Sequence, residues 1–435
     1  MPRILERLRD SFGALGRLKE IIHFRKFITQ INRKSSERTE TNSAIDFDEE
    51  IKYPRITMKI IGIWPFAYRG KQTIHCITVP VLTLLVLLTT KSYTIEWRND
   101  GTYQLLITIF IELVTVKVFI CKIFEQDIQE IFAFMEDDWN RSKYFTIERK
   151  NIMANNAKQS QIISKVLGIL VAAGTTSAVN LPWVASHILQ ESVQFYADIW
   201  YPFTISPISG LIMILEFLTI LYTSMAFLCL ETYFIIVAKH CCAQLKILSS
   251  TIEQYNGRIL HNIPTEQYDC ACTECIVMRH VEIIEFFKSI KKLFHPLIST
   301  NLVLGQMYIL AAVVTSFKQS GSGSTFFLII CWMSGSLSIL TKLLYCNIGE
   351  ELRQESLNVG DAVFNCQWHE LEGIDAKSSL MTMIVSQSMP MVIMAGGIFP
   401  VSHELFKDCV FSVLSVFSLF RTIYQKNNRS SAIET

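Results

Sequence analysis

The groups best placed to do chemistry in this chain lie near its C-terminus, where Ile398 to Tyr424 reads IFPVSHELFKDCVFSVLSVFSLFRTIY. A helix of that length, at about 1.5 Å per residue, crosses a bilayer. Wound as a helix, it lines up Glu404, Asp408, Ser412, Ser415, Ser418 and Thr422 on one stripe. Leu405, Phe406, Cys409, Val413, Val416, Phe417 and Phe420 take the opposite side. A polar stripe at membrane depth needs a polar neighbour or water. Two readings are open. Small hydroxyls let helices pack closely, or the stripe walls a cation path in which Leu419 and Ile423 form an apolar neck that gates by wetting.

Other groups have weaker claims. Glu112, Lys117 and Glu216 interrupt apolar runs, where ionisable side chains are costly. Lys117 can snorkel to the cytosolic edge, Glu216 faces the bundle or a cavity, and both structural pairing and contact with a ligand or ion are open for such groups. Cys270, Cys272 and Cys275, with His261 and His280 near, supply only one half of a usual zinc pattern. They are expected to be reduced loop thiols, and no metal is assigned. Tyr103, Leu106, Phe110, Ala173, Thr176, Asn180, Met213, Phe217, Phe327 and Ile330 mix aromatics, Met and a few polar groups. Such a lining suits a small apolar molecule chosen by shape, although lipid-facing or helix-packing residues look the same. There is no phosphate-cradling Gly loop, no HExxH and no nucleophile–base pair at a recognisable spacing, so neither an enzyme nor a cofactor is expected.

The elements that must hold these groups are helices in a membrane. Of 435 residues, 50% are hydrophobic and only 18% charged, against roughly 25% in soluble proteins. Seven hydrophobic stretches stand out: 73–95, 102–121, 161–184, 208–255, 296–317, 325–346 and the last. Fifteen Lys and Arg precede the first stretch, whereas residues 185–207 carry none and 318–324 only Lys318. The positive-inside rule therefore puts the N-terminus in the cytosol, and seven crossings leave the C-terminus outside. The fold class is an all-α membrane protein with a helical intracellular anchor region.

Its parts are a cytosolic extension (1–52), an amphipathic entry segment (53–72), spans one to four (73–238), intracellular extensions of spans four and five (239–295), spans five and six (296–346), a buried anchor helix (347–397), a pore-lining seventh helix (398–425) and a short outer tail (426–435). The twelve cysteines fall in spans or cytosolic segments, as in a reducing compartment.

Particular blocks then carry a resemblance. Tyr53-Pro54-Arg55 through Trp64-Pro65 resembles the entry motif of insect odorant receptors. So do Arg279-His280, the run from Glu355-Ser356 to Trp368, the run from Ser386-Gln387 to Ala395-Gly396, and the terminal Phe417-Ser418-Leu419-Phe420-Arg421-Thr422-Ile423-Tyr424. The similarity runs from about 53 to 425 and departs at Ser415-Val416 and at Gln387-Ser388-Met389-Pro390.

The resemblance implies a tuning subunit that forms a heterotetramer with the odorant receptor co-receptor in the plasma membrane of olfactory neuron dendrites. It implies a small volatile ligand, lipid neighbours and no nucleic acid. It also implies that the last helix lines the pore, with Leu419 and Ile423 at the gate and Thr422 where the co-receptor has a polar residue, which favours the reading of the stripe, with Asp408, Ser412 and Ser415, as a pore wall. A homomeric gustatory-type channel is the nearest rival, but its terminal Thr-Tyr…Gln-Phe pattern is missing. A metabotropic heptahelical receptor needs the opposite orientation.

Overall fold

In the computed structural model the described residues are 46–66, 102–189, 209–255, 268–322, 325–366 and 373–431, some of them within helices by backbone alone. The expected first span and most of the N-terminal extension lie outside them. Helix α1 (Phe47–Glu50) begins at Asp46, whose Oδ1 accepts the Glu49 N–H at 2.9 Å. Asp48, Glu49 and Glu50 then meet the positive end of the peptide dipoles. Helix α2 (Lys52–Ile61) stops where Gly62 turns to φ 86°, a conformation that glycine takes without steric cost. Trp64 follows, its ring 5.3 Å from that of Phe132.

The body consists of α3 (Thr102–Ile123), α4 (Glu125–Ser142), α5 (Ile147–Leu189), α6 (Ser209–Glu253), α7 (Thr273–Ser322), α8 (Thr325–Asn365), α9 (Gly373–Ser388) and α10 (His403–Ser431). A small antiparallel hairpin, β1 (Met394–Ala395) and β2 (Phe399–Pro400), precedes α10. Among the described residues, Phe217–Glu253 and Thr273–Phe317 are long and apolar enough to cross a bilayer by composition alone.

Helix α6 is the axis of the bundle, touching α2, α3, α5, α7 and α8. Residues 229–245 are all buried, apolar side chains and the polar Glu231, Lys239, His240 and Gln244 alike. Tyr233 and Phe234 both meet Phe294 of α7, at 5.4 and 5.1 Å between ring centroids, and Phe234 meets Tyr345 of α8 at 4.4 Å. Aromatic pairs at these separations add to their area burial.

Helix α7 runs unbroken through Pro296, so the segment ahead of span five and the span itself are one helix. Three features depart from the sequence reading. The anchor stretch is the end of α8 plus α9, and α9 is only half buried: Thr382 and Ser386 are inside, Met381 and Ile384 outside. The last helix starts at His403 rather than Ile398, because Phe399 and Pro400 pair with Met394 and Ala395. It continues to Ser431, through most of the expected tail.

The hairpin fixes where α10 begins. Val401 lies directly on Gly349 of α8, and a Cβ there would overlap the Val401 carbonyl oxygen and come within 3.1 Å of its Cγ1. Gly349→Ala is therefore expected to push the hairpin off α8 and cost about 1–3 kcal/mol, read as a lower melting temperature of the detergent-solubilised protein.

Beyond the apolar part of α6, a charged cluster ties four helices together. His240 has its Nδ1 3.0 Å from Glu50 Oε2 and its Nε2 3.2 Å from Asp138 Oδ2. Trp139 Nε1 donates to Glu50 at 2.6 Å, and Arg279 Nη2 donates to Asp138 at 2.6 Å and to Gln244 at 2.7 Å. Burial opposes protonation of His240, but the Glu50 and Asp138 carboxylates outweigh it and raise its pKa from 6.5 to about 9. The folded-state value lies above the unfolded one, so this stabilisation is complete below pH 6.5 and disappears as pH rises through 9. At about 3 kcal/mol it is expected to lower the melting temperature between pH 6.5 and 9.5, and His240→Gln should abolish that step.

Candidate functional site

The last helix is placed by its entry and by one side of its circumference. Ser402 caps it, its carbonyl accepting the Phe406 N–H at 3.2 Å, and Glu404 sits in the first turn, where negative charge suits the dipole. Leu405, Phe406, Cys409, Val410, Val413, Val416, Phe417 and Phe420 are half-buried against α7 and α8. Phe317 of α7 meets Phe417 at 5.0 Å and Phe420 at 6.3 Å. Gln306, also on α7, donates from Nε2 to the Cys409 carbonyl at 3.1 Å and to Ser412 Oγ at 2.6 Å.

The opposite side is open. Glu404, Asp408, Ser412, Ser415, Ser418, Leu419, Thr422 and Ile423 are all exposed. Ser415 and Thr422 donate to carbonyls one turn back, Phe411 O at 2.9 Å and Ser418 O at 2.9 Å, so within the helix their hydrogens are satisfied while their oxygens face outward. Leu419 is 57% exposed and Ile423 45%. Phe411, 58% exposed, shares this face and was not anticipated.

The residues expected to hold a small ligand are more dispersed. Leu106 is buried with Ile109, Ala311, Ala312 and Cys331, where α3, α7 and α8 meet. Phe110, one turn along, lies 5.9 Å from Phe227 and 6.0 Å from Tyr308. Ala173, Thr176 and Asn180 on α5 and Phe217 on α6 have exposed side chains, and Asn180 Nδ2 donates to Thr176 O at 2.9 Å. The side chains of Tyr103, Met213, Phe327 and Ile330 lie outside the described ones. At the charged end of the bundle, Tyr255, Ile276, Cys366 and Thr382 are among the residues lining a small, partly open hollow.

Lys117 does not snorkel. It is buried with Glu231 of α6, Nζ to Oε1 2.6 Å, and its ammonium lies 5.5 Å from the Phe227 ring centroid. A buried carboxylate offers a better partner than a membrane edge that its chain would have to reach. Lys342 of α8 is likewise buried and donates to the Asn301 carbonyl at 3.2 Å. Gly305 leaves the room, since a Cβ there would come 2.8 Å from Lys342 Nζ. Sequence reasoning passed over Glu231 and Lys342, although the signal was the same as for Lys117: a lone charge inside an apolar run.

The profile of the 7tm odorant receptors matches residues 102–413, well over half of the chain. The chain belongs to the 7tm odorant receptor family. That makes it a multi-pass, all-α membrane protein of seven transmembrane helices, from a family of receptors rather than enzymes. It is 25% identical over 236 residues to Odorant receptor 13a of Drosophila melanogaster, covering 48% of this chain and 53% of that one. It is 27% identical over 157 residues to Odorant receptor Or2 of Anopheles gambiae, covering 35% and 39%. The chain thus spans about half or less of the length of these relatives. Its fold is similar to that of the olfactory receptor OR5 of Machilis hrabei in complex with eugenol, with a TM-score of 0.75, 16% identity, and coverage of 87% of this chain and 98% of that one.

Proposed function

We propose that this odorant receptor family member is a tuning subunit, which forms a non-selective cation channel with the odorant receptor co-receptor. The observation that carries the reading is the division of α10: its apolar side is packed within its own chain, and its acid-and-hydroxyl stripe is left open. In a tetramer such stripes converge on a common axis and border water. A small uncharged volatile binds in the outer half of the bundle, near Phe110, Thr176, Met213, Phe217 and Phe327. The Machilis hrabei receptor, solved with eugenol, is an example of such a ligand in this fold.

A ligand that binds the open state more tightly shifts the population of α10 and wets the neck at Leu419 and Ile423. One that binds both states equally does nothing. The N-terminus is cytosolic, and the assembly works in the dendritic membrane of olfactory neurons. The reading is tested by recording current from cells that express this chain and the co-receptor, singly and together, against a volatile panel. Odour-evoked cation current that needs both chains is expected. Silence to the whole panel at normal surface expression, or a current that needs guanine nucleotide, contradicts it.

A further inference from the structure

The start of α7 carries a feature that neither odour binding nor a pore uses. The sulfur atoms of Cys270, Cys272 and Cys275 all lie within 4.8 Å of one another. In sequence they are half of a zinc pattern, and their expected state was that of separate loop thiols. In space they form one group. Cys272 caps α7, its carbonyl accepting the Ile276 N–H at 3.0 Å, and Cys275 follows in the first turn. The Cys272 N–H donates to Cys270 Sγ at 3.2 Å. Two of the sulfurs are therefore at the positive end of a 50-residue helix, and the third is held by a backbone donor.

We propose that Cys270, Cys272 and Cys275 form a binding site for one thiophilic d10 cation, Zn(II) or Cu(I). Three thiolates match the preference of both ions for soft sulfur donors. Among the described residues the group holds only these three sulfurs. Cu(I) would be bound in a trigonal S3 set, and Zn(II) would complete its tetrahedron with water. Binding displaces the three thiol protons to solvent, with no change in oxidation state.

The scaffold around the sulfurs is built before any ion arrives. Arg149 of α5 is buried and pairs with the Asp269 carboxylate, and it donates to the Asp269 carbonyl at 3.2 Å and to Gln254 Oε1 at 2.8 Å. Tyr255 and Thr273 hydrogen-bond through their hydroxyls, and the Tyr268 ring packs on Tyr144 at 5.4 Å. These contacts tie residues 268–273 to the turn after α4, to α5 and to the residues that follow α6, and preorganisation of this kind is what a ligand set needs. The crowding that opposes a second and third thiolate is relieved by a cation between them.

The test uses the full-length chain, purified reduced and metal-free in the assembly it forms. It is titrated anaerobically with Zn(II) and, separately, with Cu(I), against a competing chelator. One ion per chain is expected. Each of Cys270→Ser, Cys272→Ser and Cys275→Ser is expected to weaken it by more than the roughly 10–100-fold typical of losing an outer-shell partner.

A second reading needs no variant. Cys270 is half-exposed, so iodoacetamide labels it, and the loaded ion should slow that labelling at least tenfold by peptide mass spectrometry. Metal uptake unchanged in the triple serine variant overturns the site, as does equal labelling of Cys270 with and without the ion, or a disulfide among the three in the reduced protein.

Discussion

Replacing Leu419 with serine is expected to raise the basal current of the assembled channel roughly ten- to a hundredfold. Leu419 is exposed on the open face of α10, with Ser415 one turn before it and Ile423 one turn after. In the gate proposed above, a ring of such side chains excludes water in the shut state, and opening must wet it. Hydrating a leucine side chain costs about 1.5–3 kcal/mol, a cost that serine nearly removes, so the open-to-shut constant rises by the corresponding factor. The effect is graded by how many subunits carry the change. The comparison is Val413→Ser, on the packed face, which should reduce the amount of protein without raising current per channel. Unchanged basal current in Leu419→Ser at normal surface expression removes Leu419 from the gate.

The second large effect is expected at the Lys117–Glu231 pair, which is almost fully buried between α3 and α6. Lys117→Met leaves the Glu231 carboxylate buried without its ammonium, with the Tyr345 hydroxyl as a remaining partner, and Glu231→Leu leaves the ammonium without its carboxylate. Removing one partner of such a pair costs about 3–5 kcal/mol, whereas replacing both with apolar groups of similar size is often neutral. Each single substitution should therefore abolish most surface protein, and Lys117→Met with Glu231→Leu should restore much of it. A double-mutant cycle on surface-biotinylated protein measures the coupling. If the singles are harmless, the pair does not hold α3 to α6.

How much of this was legible from sequence depends on what each feature rests on. The start of α3 at Thr102 and of α8 at Thr325, and the division of α10 into packed and open sides, follow from local apolar periodicity. The division came out residue by residue, with Val413, Phe417 and Phe420 half-buried and Ser415, Ser418 and Thr422 exposed. Phe411 escaped notice because the stripe was drawn through polar residues only.

Contacts between distant residues were not legible. Lys117 and Glu231 are separated by 114 positions, and no spacing rule joins them. The same holds for Glu50 and His240, and for Val401 on Gly349. Residues 398–402 read as helix by composition, but the hairpin pairing of Phe399 and Pro400 takes precedence. The three cysteines illustrate the other limit: their spacing was plain, while the convergence of their sulfurs depends on a turn held from α5 by Arg149.

The central claim is that the stripe on α10 borders water in the working channel. It is tested most directly by placing cysteines one at a time at Asp408, Ser412, Ser415 and Thr422, and for comparison at Val413, Phe417 and Phe420. Each variant is co-expressed with the co-receptor and exposed to a charged, membrane-impermeant thiol reagent while odour opens the channel. Rapid, irreversible loss of current at the four stripe positions, and none at the three packed ones, is the predicted result. Stripe cysteines that ignore the aqueous reagent but react with a lipid-soluble one would place that face against the bilayer and contradict the account.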